Sequence, residues 1–190
     1  MTGSPALFLD RDGVINIDKG YVHKAEDCEF VDGIFDLVKR ANQLGYKVFV
    51  VTNQAGIARG YYTEEQFLSF SEWMKNEFQK HQAHIDEIYF CPHHPVYGLE
   101  AYHISCDCRK PAPGMFLKAQ AAFNIDMSRS IMIGDNLSDL EAAHAANVER
   151  RYLFIWSHEK NSTPENMPTK SDNISLKVIT SLNEVELAFI

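Results

Sequence analysis

An apolar run that ends in two aspartates lies near the amino terminus: Ala6-Leu7-Phe8-Leu9-Asp10-Arg11-Asp12-Gly13. If residues 6–9 form a buried strand, alternation of side chains places Asp10 and Asp12 on one side of its carboxyl end and Arg11 on the other. Two adjacent carboxylates repel each other, which favours a bound cation, a shared proton or a catalytic task at this point. An ordinary Asp/Gly turn after the strand is the alternative interpretation.

Strand patterns alternate with helix patterns along the rest of the chain. Further strands are predicted over residues 47–51, 85–90, 130–133, 152–156 and 178–179, with a polar loop over 157–173. Helices are predicted to begin at the capping residues Asp32, Thr63 (with Gln66), Ser138 (with Glu141) and Ser181 (with Glu184), and one more covers 114–123. This order predicts an α/β fold, with a doubly wound parallel sheet in a single domain over residues 1–190.

Composition restricts the possible partners and the compartment. The chain of 190 residues has 26 acidic and 18 basic side chains, a formal net charge of −8. This excess of negative charge argues against nucleic acid or an anionic membrane as the main partner. The amino terminus lacks the pattern of a signal peptide, and no apolar run is long enough to span a membrane. We therefore expect a soluble, cytoplasmic protein. Its expected partner is a small molecule and its expected state is a monomer, although composition does not determine the oligomeric state.

Four polar motifs follow four successive predicted strands. They are Asp10-Arg11-Asp12, Thr52-Asn53-Gln54, Arg109-Lys110 and Gly134-Asp135. Taken alone, the Thr-Asn pair is typical of a turn, and the Gly-Asp pair is typical of a cap or a turn. Because the carboxyl ends of parallel strands lie at the same edge of a sheet, all four motifs are expected to meet there, where ligands bind in such folds. Their convergence favours a functional site over four unrelated turns.

The residue types at this edge suit phosphoryl transfer from a phosphate monoester. Asp10, at the strand tip, can attack phosphorus and form an aspartyl-phosphate. Asp12 can donate a proton to the leaving alkoxide and later accept one from water. Thr52 and Lys110 can stabilise charge on the phosphoryl oxygens. A Mg²⁺ ion prefers oxygen ligands, and we expect Asp10, Asp12 and Asp135 to provide them.

Three of the four cysteines lie in one short segment together with several histidines. Cys91-x-His93 and Cys106-x-Cys108 offer three thiolates and one imidazole, which suits a closed structural zinc site; Cys28 stands apart. A reduced cluster or a redox pair is the alternative interpretation. A zinc ion held there would order a loop at about residues 90–111 and direct Arg109 and Lys110 towards the phosphate.

The motifs together resemble the haloacid-dehalogenase (HAD) superfamily of phosphatases. The matching residues, in chain order, are Asp10-x-Asp12, Thr52, Lys110 and Gly134-Asp135 with Asp139. The resemblance implies a HAD-like Rossmannoid fold in which the first aspartate is the nucleophile and the second is the acid/base. It also implies dependence on magnesium.

Longer stretches resemble one subfamily, the heptose 1,7-bisphosphate phosphatases and their histidinol-phosphatase relatives. The stretches are Leu9–Asn16, Gly20-Tyr21-Val22, Thr52–Gly60, Cys91-Pro92-His93-His94-Pro95 and Cys106–Pro111. The resemblance covers about residues 6 to 148. It implies a structural zinc, a zinc-stabilised loop in place of a large cap domain, and hydrolysis of the C7 phosphate of D-glycero-D-manno-heptose 1,7-bisphosphate in ADP- or GDP-heptose biosynthesis. Histidinol-phosphate phosphatase, another sugar-phosphate phosphatase and a non-catalytic zinc-stabilised binding module are the alternatives.

The subfamily also implies a set of residues that contact the substrate. They are Asp18, Lys19, Gly20, Tyr21, Asn53, Gln54, Ala55 and Arg109. Arg109 suits a bidentate grip on the second, unreacted phosphate. Two positions differ from many relatives: Ala55 stands where Ser is frequent, and Asn136 stands where Lys is frequent. The sequence leaves open the anomer that is preferred at C1.

Overall fold

A computed structural model of the chain describes residues 3–156 and 175–187. In this part of the chain six strands form one sheet, and every neighbouring pair is parallel. The strands are β1 (Ala6–Leu9), β2 (Lys47–Asn53), β3 (Glu87–Cys91), β4 (Ile131–Gly134), β5 (Arg150–Phe154) and β6 (Lys177–Ile179). Their order is β3-β2-β1-β4-β5-β6, so the chain builds one half of the sheet, returns beside β1 and builds the other. The predicted doubly wound sheet is confirmed.

The helices cover both faces of this sheet. They are α1 (Ile34–Gln43), α2 (Ala55–Ala58), α3 (Glu64–Lys80), α4 (Gly114–Phe123) and α5 (Leu137–Ala145). The apolar sides of α1 and α3 pack in one core cluster, and those of α4 and α5 pack in another. Alternation along β1 explains the two clusters, because Leu7 and Leu9 face the first and Phe8 faces the second. The Phe8 ring lies 4.8 Å from that of Phe116 in α4.

Several strand boundaries differ from the predicted ones, and the difference in β2 affects the edge of the sheet. Strand β2 continues to Asn53 instead of ending at residue 51, because Thr52 and Asn53 still pair with β3. Strand β3 covers 87–91 instead of 85–90, and β5 covers 150–154 instead of 152–156. Thr52 and Asn53 are therefore held within a strand, with less freedom than loop residues would have.

Two of the predicted helix caps lie at a different residue in the structure. Helix α1 begins after Gly33, whose φ of 81° is left-handed, and not after Asp32. The capping box of α5 is formed by Asn136 and Asp139, and not by Ser138 and Glu141. The predicted Thr63 capping box of α3 is confirmed.

The last predicted helix is wrong within the described residues. Ser181 and Glu184 do form a capping box, but it opens only a 3-10 turn over Leu182–Glu184. After this turn Val185 and Leu187 are both buried in the core cluster of α1, a spacing of two that extended backbone satisfies. The predicted polar loop over 157–173 lies outside the described residues. Among the described helices, all are too short or too polar to cross a bilayer.

Candidate active site

A cleft of about 490 Å³ opens at the carboxyl ends of β1, β2 and β4, beside the point where the strand order reverses. Its lining includes nearly all of the residues predicted for catalysis and substrate contact: Asp10, Asp12, Asp18, Gly20, Tyr21, Thr52, Asn53, Gln54, Ala55, Arg109, Lys110 and Asp135. Lys19 is not in this lining; its ammonium pairs with Glu29 at 3.0 Å on the surface. The structure thus brings together motifs that are more than a hundred residues apart.

A buried ammonium group ties three of these segments together. The Lys110 side chain is only 2% exposed, and its Nζ lies 2.7 Å from Asp10 Oδ1 and 2.7 Å from Asp139 Oδ1. It also donates to the Val51 carbonyl at 2.7 Å. Three donors therefore meet three acceptors, the condition under which a buried ammonium is tolerated. The two carboxylates raise the pKa of Lys110, although burial opposes them, so the group stays charged.

The main chain of Lys110 is fixed separately by Asn53 at the end of β2. The Asn53 amide nitrogen donates to the Lys110 carbonyl at 3.1 Å, and the Lys110 N–H donates to Asn53 Oδ1 at 3.0 Å. This two-point contact joins the sheet edge to the loop that precedes α4. Asn53 lines the cleft as predicted, and its amide is committed to holding Lys110.

Asp12 lies in a network of donors at the other side of the cleft. Nη2 of Arg11 is 2.9 Å and 2.8 Å from its two carboxylate oxygens, Asn16 donates to Oδ1 at 3.1 Å and Gln54 donates to Oδ2 at 3.2 Å. Arg11, which is 1% exposed, was expected to point away from the two aspartates. Strand β1 ends at Leu9, so strict alternation stops there, and the guanidinium returns to Asp12.

An acidic cluster forms the floor of the cleft. One carboxylate oxygen from each of Asp10, Asp135 and Asp139 lies within 4.8 Å of the others. Burial raises the pKa of Asp10 to about 7, although Lys110 opposes this shift, and burial raises the pKa of Asp135 to about 8, assisted by the charges of Asp10 and Asp139. Asp12, expected as a third ligand of Mg²⁺, is absent from this cluster and faces Arg11 instead.

The close approach of Asp135 requires a glycine in the loop after β1. Gly13 has a φ of +85°, and a Cβ atom there would lie 2.1 Å from Asp135 Oδ2. Any side chain would displace the carboxylate as well as strain the backbone. The glycine that follows the two aspartates in sequence is thus part of the site.

A second cluster gathers the predicted zinc ligands. The sulfur atoms of Cys91, Cys106 and Cys108 are 3.0 to 3.5 Å apart, and His93 Nδ1 lies 3.4 Å from Cys108 Sγ and 3.8 Å from Cys91 Sγ. Ligand atoms at about 2.3 Å from a tetrahedral zinc are about 3.8 Å apart, so this cluster is of the right size to close on one ion. All four cysteines are free thiols, and Cys28 is not part of the cluster.

The loop that contains these thiols also places Arg109 in the cleft. Arg109 Nη1 donates to the carbonyl of the cluster residue His93 at 3.2 Å. The two neighbouring histidines point elsewhere: His94 stacks on Tyr97 at 3.6 Å, and His103 contacts the Pro95 carbonyl. The cluster and the cleft are therefore joined by two consecutive residues, since Cys108 precedes Arg109.

Some cleft residues were missed from the sequence. Tyr62, Asn136, Ser138 and Asp139 complete the lining. The sequence indicated Asp139 as part of the family pattern, Asn136 as a difference from many relatives and Ser138 only as a helix cap, and it gave no indication of Tyr62. A signal for Asp139 was present: Asn136-x-x-Asp139 is itself a capping box, so the first turn of α5 could have been placed directly after Asp135. No local signal indicates Tyr62, which reaches the cleft through tertiary packing.

Comparison with known proteins relates this arrangement to one family. A family model described as HAD-hydrolase-like matches residues 107–153. A Yersinia pestis protein named D-glycero-beta-D-manno-heptose-1,7-bisphosphate 7-phosphatase is 49% identical over 149 residues, which are 78% of this chain and 79% of that protein. An Escherichia coli K12 protein of the same name is 45% identical over 184 residues, 97% of this chain and 93% of that protein. The chain belongs to the heptose-1,7-bisphosphate 7-phosphatase family of HAD-like hydrolases.

A solved structure of the same family supports the fold. The D,D-heptose 1,7-bisphosphate phosphatase from B. bronchiseptica, complexed with magnesium and phosphate, is 26% identical and superimposes with a TM-score of 0.74 over 94% of this chain and 93% of that one. That heptose-bisphosphate phosphatase therefore shares the fold described above.

Proposed function

We propose that this protein hydrolyses the C7 phosphate of D-glycero-beta-D-manno-heptose 1,7-bisphosphate. The observation on which this rests is the buried Lys110 that joins Asp10 to Asp139 on the floor of the cleft, beside Asp135. This set of groups suits attack by a carboxylate on a phosphate monoester. Relatives that are 45–50% identical bear the name of this activity, and their names specify the beta anomer.

In the first step we assign Asp10 as the nucleophile. One of its carboxylate oxygens bonds to phosphorus while the bond between phosphorus and the sugar O7 breaks. Lys110, 2.7 Å from Asp10 Oδ1, favours the ionised carboxylate against the opposing effect of burial and offsets charge on the phosphoryl group. Thr52, held at the end of β2, donates to a phosphoryl oxygen.

Asp12 supplies and accepts the proton. It protonates the departing O7 in the first step, and in the second step it takes a proton from the water that attacks the aspartyl-phosphate. The bond between Asp10 and phosphorus then breaks, which releases phosphate and restores both aspartates. Hydrogen bonds from Arg11, Asn16 and Gln54 hold the Asp12 carboxylate in place between the two steps.

The acidic floor fits a hard divalent cation such as Mg²⁺. Asp10 and Asp135 would hold it, because both oxygens of Asp139 are committed, Oδ1 to Lys110 and Oδ2 to the Asn136 N–H. When bound, the ion supplies positive charge that offsets carboxylate repulsion and polarises the phosphoryl group. Asp12 is not assigned to the ion through its side chain.

The thiol cluster fits a structural zinc ion held by Cys91, His93, Cys106 and Cys108. Three sulfur atoms and one ring nitrogen complete a tetrahedral set, so the ion has no open position for chemistry and supplies only cross-linking of the loop. That loop, at about residues 90–111, replaces a large cap domain. It presents Arg109 to the second, unreacted phosphate. The sugar contacts other residues that line the cleft, namely Asp18, Gly20, Tyr21 and Ala55.

A comparison of substrates tests this function. Phosphate release is measured with the beta and alpha anomers of the heptose bisphosphate and with histidinol phosphate, each with Mg²⁺ present. We expect kcat/KM to be highest for the beta anomer. A higher value for histidinol phosphate would assign the chain to that activity instead, and no turnover of any phosphate monoester would favour a non-catalytic zinc-stabilised module.

We further propose that the protein acts as a monomer in the cytoplasm. The free thiols of all four cysteines suit a reducing compartment, and the net charge of −8 disfavours binding to nucleic acid. Light scattering coupled to gel filtration checks the monomer, for which we expect a mass near 21.7 kDa.

A further inference from the structure

The side chain of Gln54 has a hydrogen-bond partner on every polar atom. Its Nε2 donates to Thr52 Oγ1 at 2.7 Å and to Asp12 Oδ2 at 3.2 Å, while its Oε1 accepts from the Tyr62 hydroxyl. An amide nitrogen has two protons, and both are used here. Gln54 is 2% exposed, so very little of this lining residue is accessible from the cleft. Its interactions are with the protein and leave no amide proton for a substrate.

Tyr62 determines which way this amide faces. Its hydroxyl can donate only to the carbonyl oxygen of Gln54, which directs Nε2 towards Asp12 and Thr52. With the amide reversed, its oxygen would face the Asp12 carboxylate, and two acceptors would repel each other. Burial raises the pKa of Tyr62 to about 12, so the hydroxyl keeps the proton that it donates.

The Tyr62 ring is itself held on both sides. A Cβ atom on Gly56 would lie 2.3 Å from Tyr62 Cε1, which shows how closely the ring lies on the backbone of α2. On another side the His23 ring stacks against it, with centroids 4.6 Å apart and planes at 14°. Tyr62 is 4% exposed and belongs to a small core cluster with Ile57 and Phe67. The hydroxyl is therefore a fixed point.

We propose that Tyr62 is a positioning residue: through Gln54 it fixes the carboxylate of Asp12 relative to Thr52. This inference rests on the proposed function, in which Asp12 protonates the leaving oxygen. Thr52 belongs to β2 and is 1% exposed, so it is the rigid anchor, whereas Asp12 lies in the loop after β1 and is the group that needs placement. Neither Tyr62 nor its hydroxyl takes part in bond making.

The choice of leaving group separates this role from a structural one. A sugar alkoxide is a poor leaving group and needs the proton of Asp12, whereas p-nitrophenolate leaves without one. The ratio kcat/KM reports only the steps up to the first irreversible one, here formation of the aspartyl-phosphate. A misplaced Asp12 therefore lowers kcat/KM for the sugar phosphate and spares p-nitrophenyl phosphate, while general damage to the site lowers both.

The test variant is Tyr62→Phe, which keeps the ring and removes the hydroxyl. With the heptose bisphosphate we expect kcat/KM to fall about tenfold, a part of the 10² to 10⁴ that an acid/base group contributes. With p-nitrophenyl phosphate we expect a change within about twofold. Tyr89→Phe is the matched control, because Tyr89 is a half-buried tyrosine on β3 that does not line the cleft, and it should alter neither value.

Two further variants make the outcomes distinguishable. Gln54→Met removes the link itself and should show the same dependence on leaving group as Tyr62→Phe. Asp12→Asn should show a stronger dependence on the leaving group than either of these variants. Suppose that Asp12→Asn lowers kcat/KM for the heptose bisphosphate more than for p-nitrophenyl phosphate, whereas Tyr62→Phe changes both values equally or changes neither. The positioning role is then wrong while the proposed function stands. If Asp12→Asn lowers kcat/KM equally for the two substrates, the assignment of Asp12 as the acid is wrong, and the role of Tyr62 is wrong with it.

Discussion

The charge balance of the site depends on single residues that belong to distant segments. Lys110 precedes α4, Asp10 follows β1, and Asp139 lies in the first turn of α5, yet the ammonium is within 2.7 Å of both carboxylates. A buried charge that loses its partners costs several kcal/mol, so these groups are interdependent. Replacing any one of them alters the ionisation of the others as well as the chemistry that it supplies.

The single substitution Asp10→Asn tests the assignment of Asp10 as the nucleophile. An amide cannot attack phosphorus to form an aspartyl-phosphate, so we expect kcat to fall by about 10⁴-fold or more. Circular dichroism should show an intact fold, since Lys110 keeps Asp139 as a partner. Asp36→Asn, on the exposed side of α1, is the control for loss of one carboxylate and should leave kcat unchanged. Substantial activity in Asp10→Asn would exclude Asp10 as the nucleophile.

The affinity for Mg²⁺ should depend on pH in a defined direction. Burial raises the pKa of Asp10 to about 7 and that of Asp135 to about 8. A proton and a cation compete for these oxygens, so affinity is weak below pH 7, rises as the two groups lose their protons, and levels off above about pH 8. Calorimetric titration at several pH values measures this, together with the protons released on binding. An affinity that is constant from pH 6 to pH 9 would contradict the assignment of these two ligands.

At the scale of elements, the thiol-containing loop has several large apolar side chains that are exposed. Residues such as Val96, Leu99 and Ile104 in this loop are exposed, so burial of side chains contributes little to its order. The four ligand residues close it at its two ends, with Cys91 ending β3 and Cys108 adjoining Arg109. A metal ion there would fix the loop and, through it, the position of Lys110.

Cys106→Ser should therefore lower zinc content and loop order together. Removing one of four ligands weakens a structural zinc site, and the freed loop should exchange its amide protons faster over residues 91–111. Elemental analysis and hydrogen exchange measure the two effects. Cys28→Ser is a matched control, because Cys28 is also a free thiol but lies outside the cluster, and this variant should retain zinc. If zinc is absent from the freshly purified wild-type protein, the structural role is wrong.

The two capping boxes of α3 and α5 should differ in their effect on activity. Asn136 accepts from the Ser138 N–H at 3.1 Å, and Thr63 accepts from the Gln66 N–H at 3.1 Å. Replacing either by Ala should cost about 1 kcal/mol of unfolding free energy, measured in urea. Only Asn136→Ala should also lower kcat, by about threefold or more, because a loosened first turn displaces Asp139 from Lys110. Equal kcat values in the two variants would contradict this link.

The sequence was sufficient to predict features that depend on residue type and spacing within one short segment. Strand β1, the Thr63 capping box and the Cys/His cluster follow from side-chain type and spacing alone. Contacts made by tertiary packing were not accessible in this way. The return of Arg11 to Asp12 depends on where β1 stops, and the bond from Tyr62 to Gln54 depends on how α2 packs. The last helix failed because burial of Val185 and Leu187 outweighs a favourable cap.

At the scale of the whole molecule, the cleft stands on a sheet that is buried on both faces. Leu7 and Leu9 of β1 pack with α1 and α3, while Phe8 packs with α4 and α5, and all three side chains are fully buried. The central position of β1, between β2 and β4, fixes Asp10 from both sides through parallel pairing. Apolar packing of this extent holds the strand ends in place without help from a cation in the cleft.

Magnesium should therefore add to stability without being required for folding. An ion that binds only the folded state raises the free energy of unfolding by about 2.7 kcal/mol when its concentration is a hundred times Kd. We expect the Tm to rise with Mg²⁺ concentration, and a chelator should abolish turnover reversibly while the chain stays folded. In the Asp135→Asn variant the Tm should rise much less with Mg²⁺, because this substitution removes one of the two proposed ligands. If the Tm does not change with Mg²⁺ concentration while activity requires the ion, this prediction is wrong. The cation would then bind in the cleft only together with the substrate phosphate.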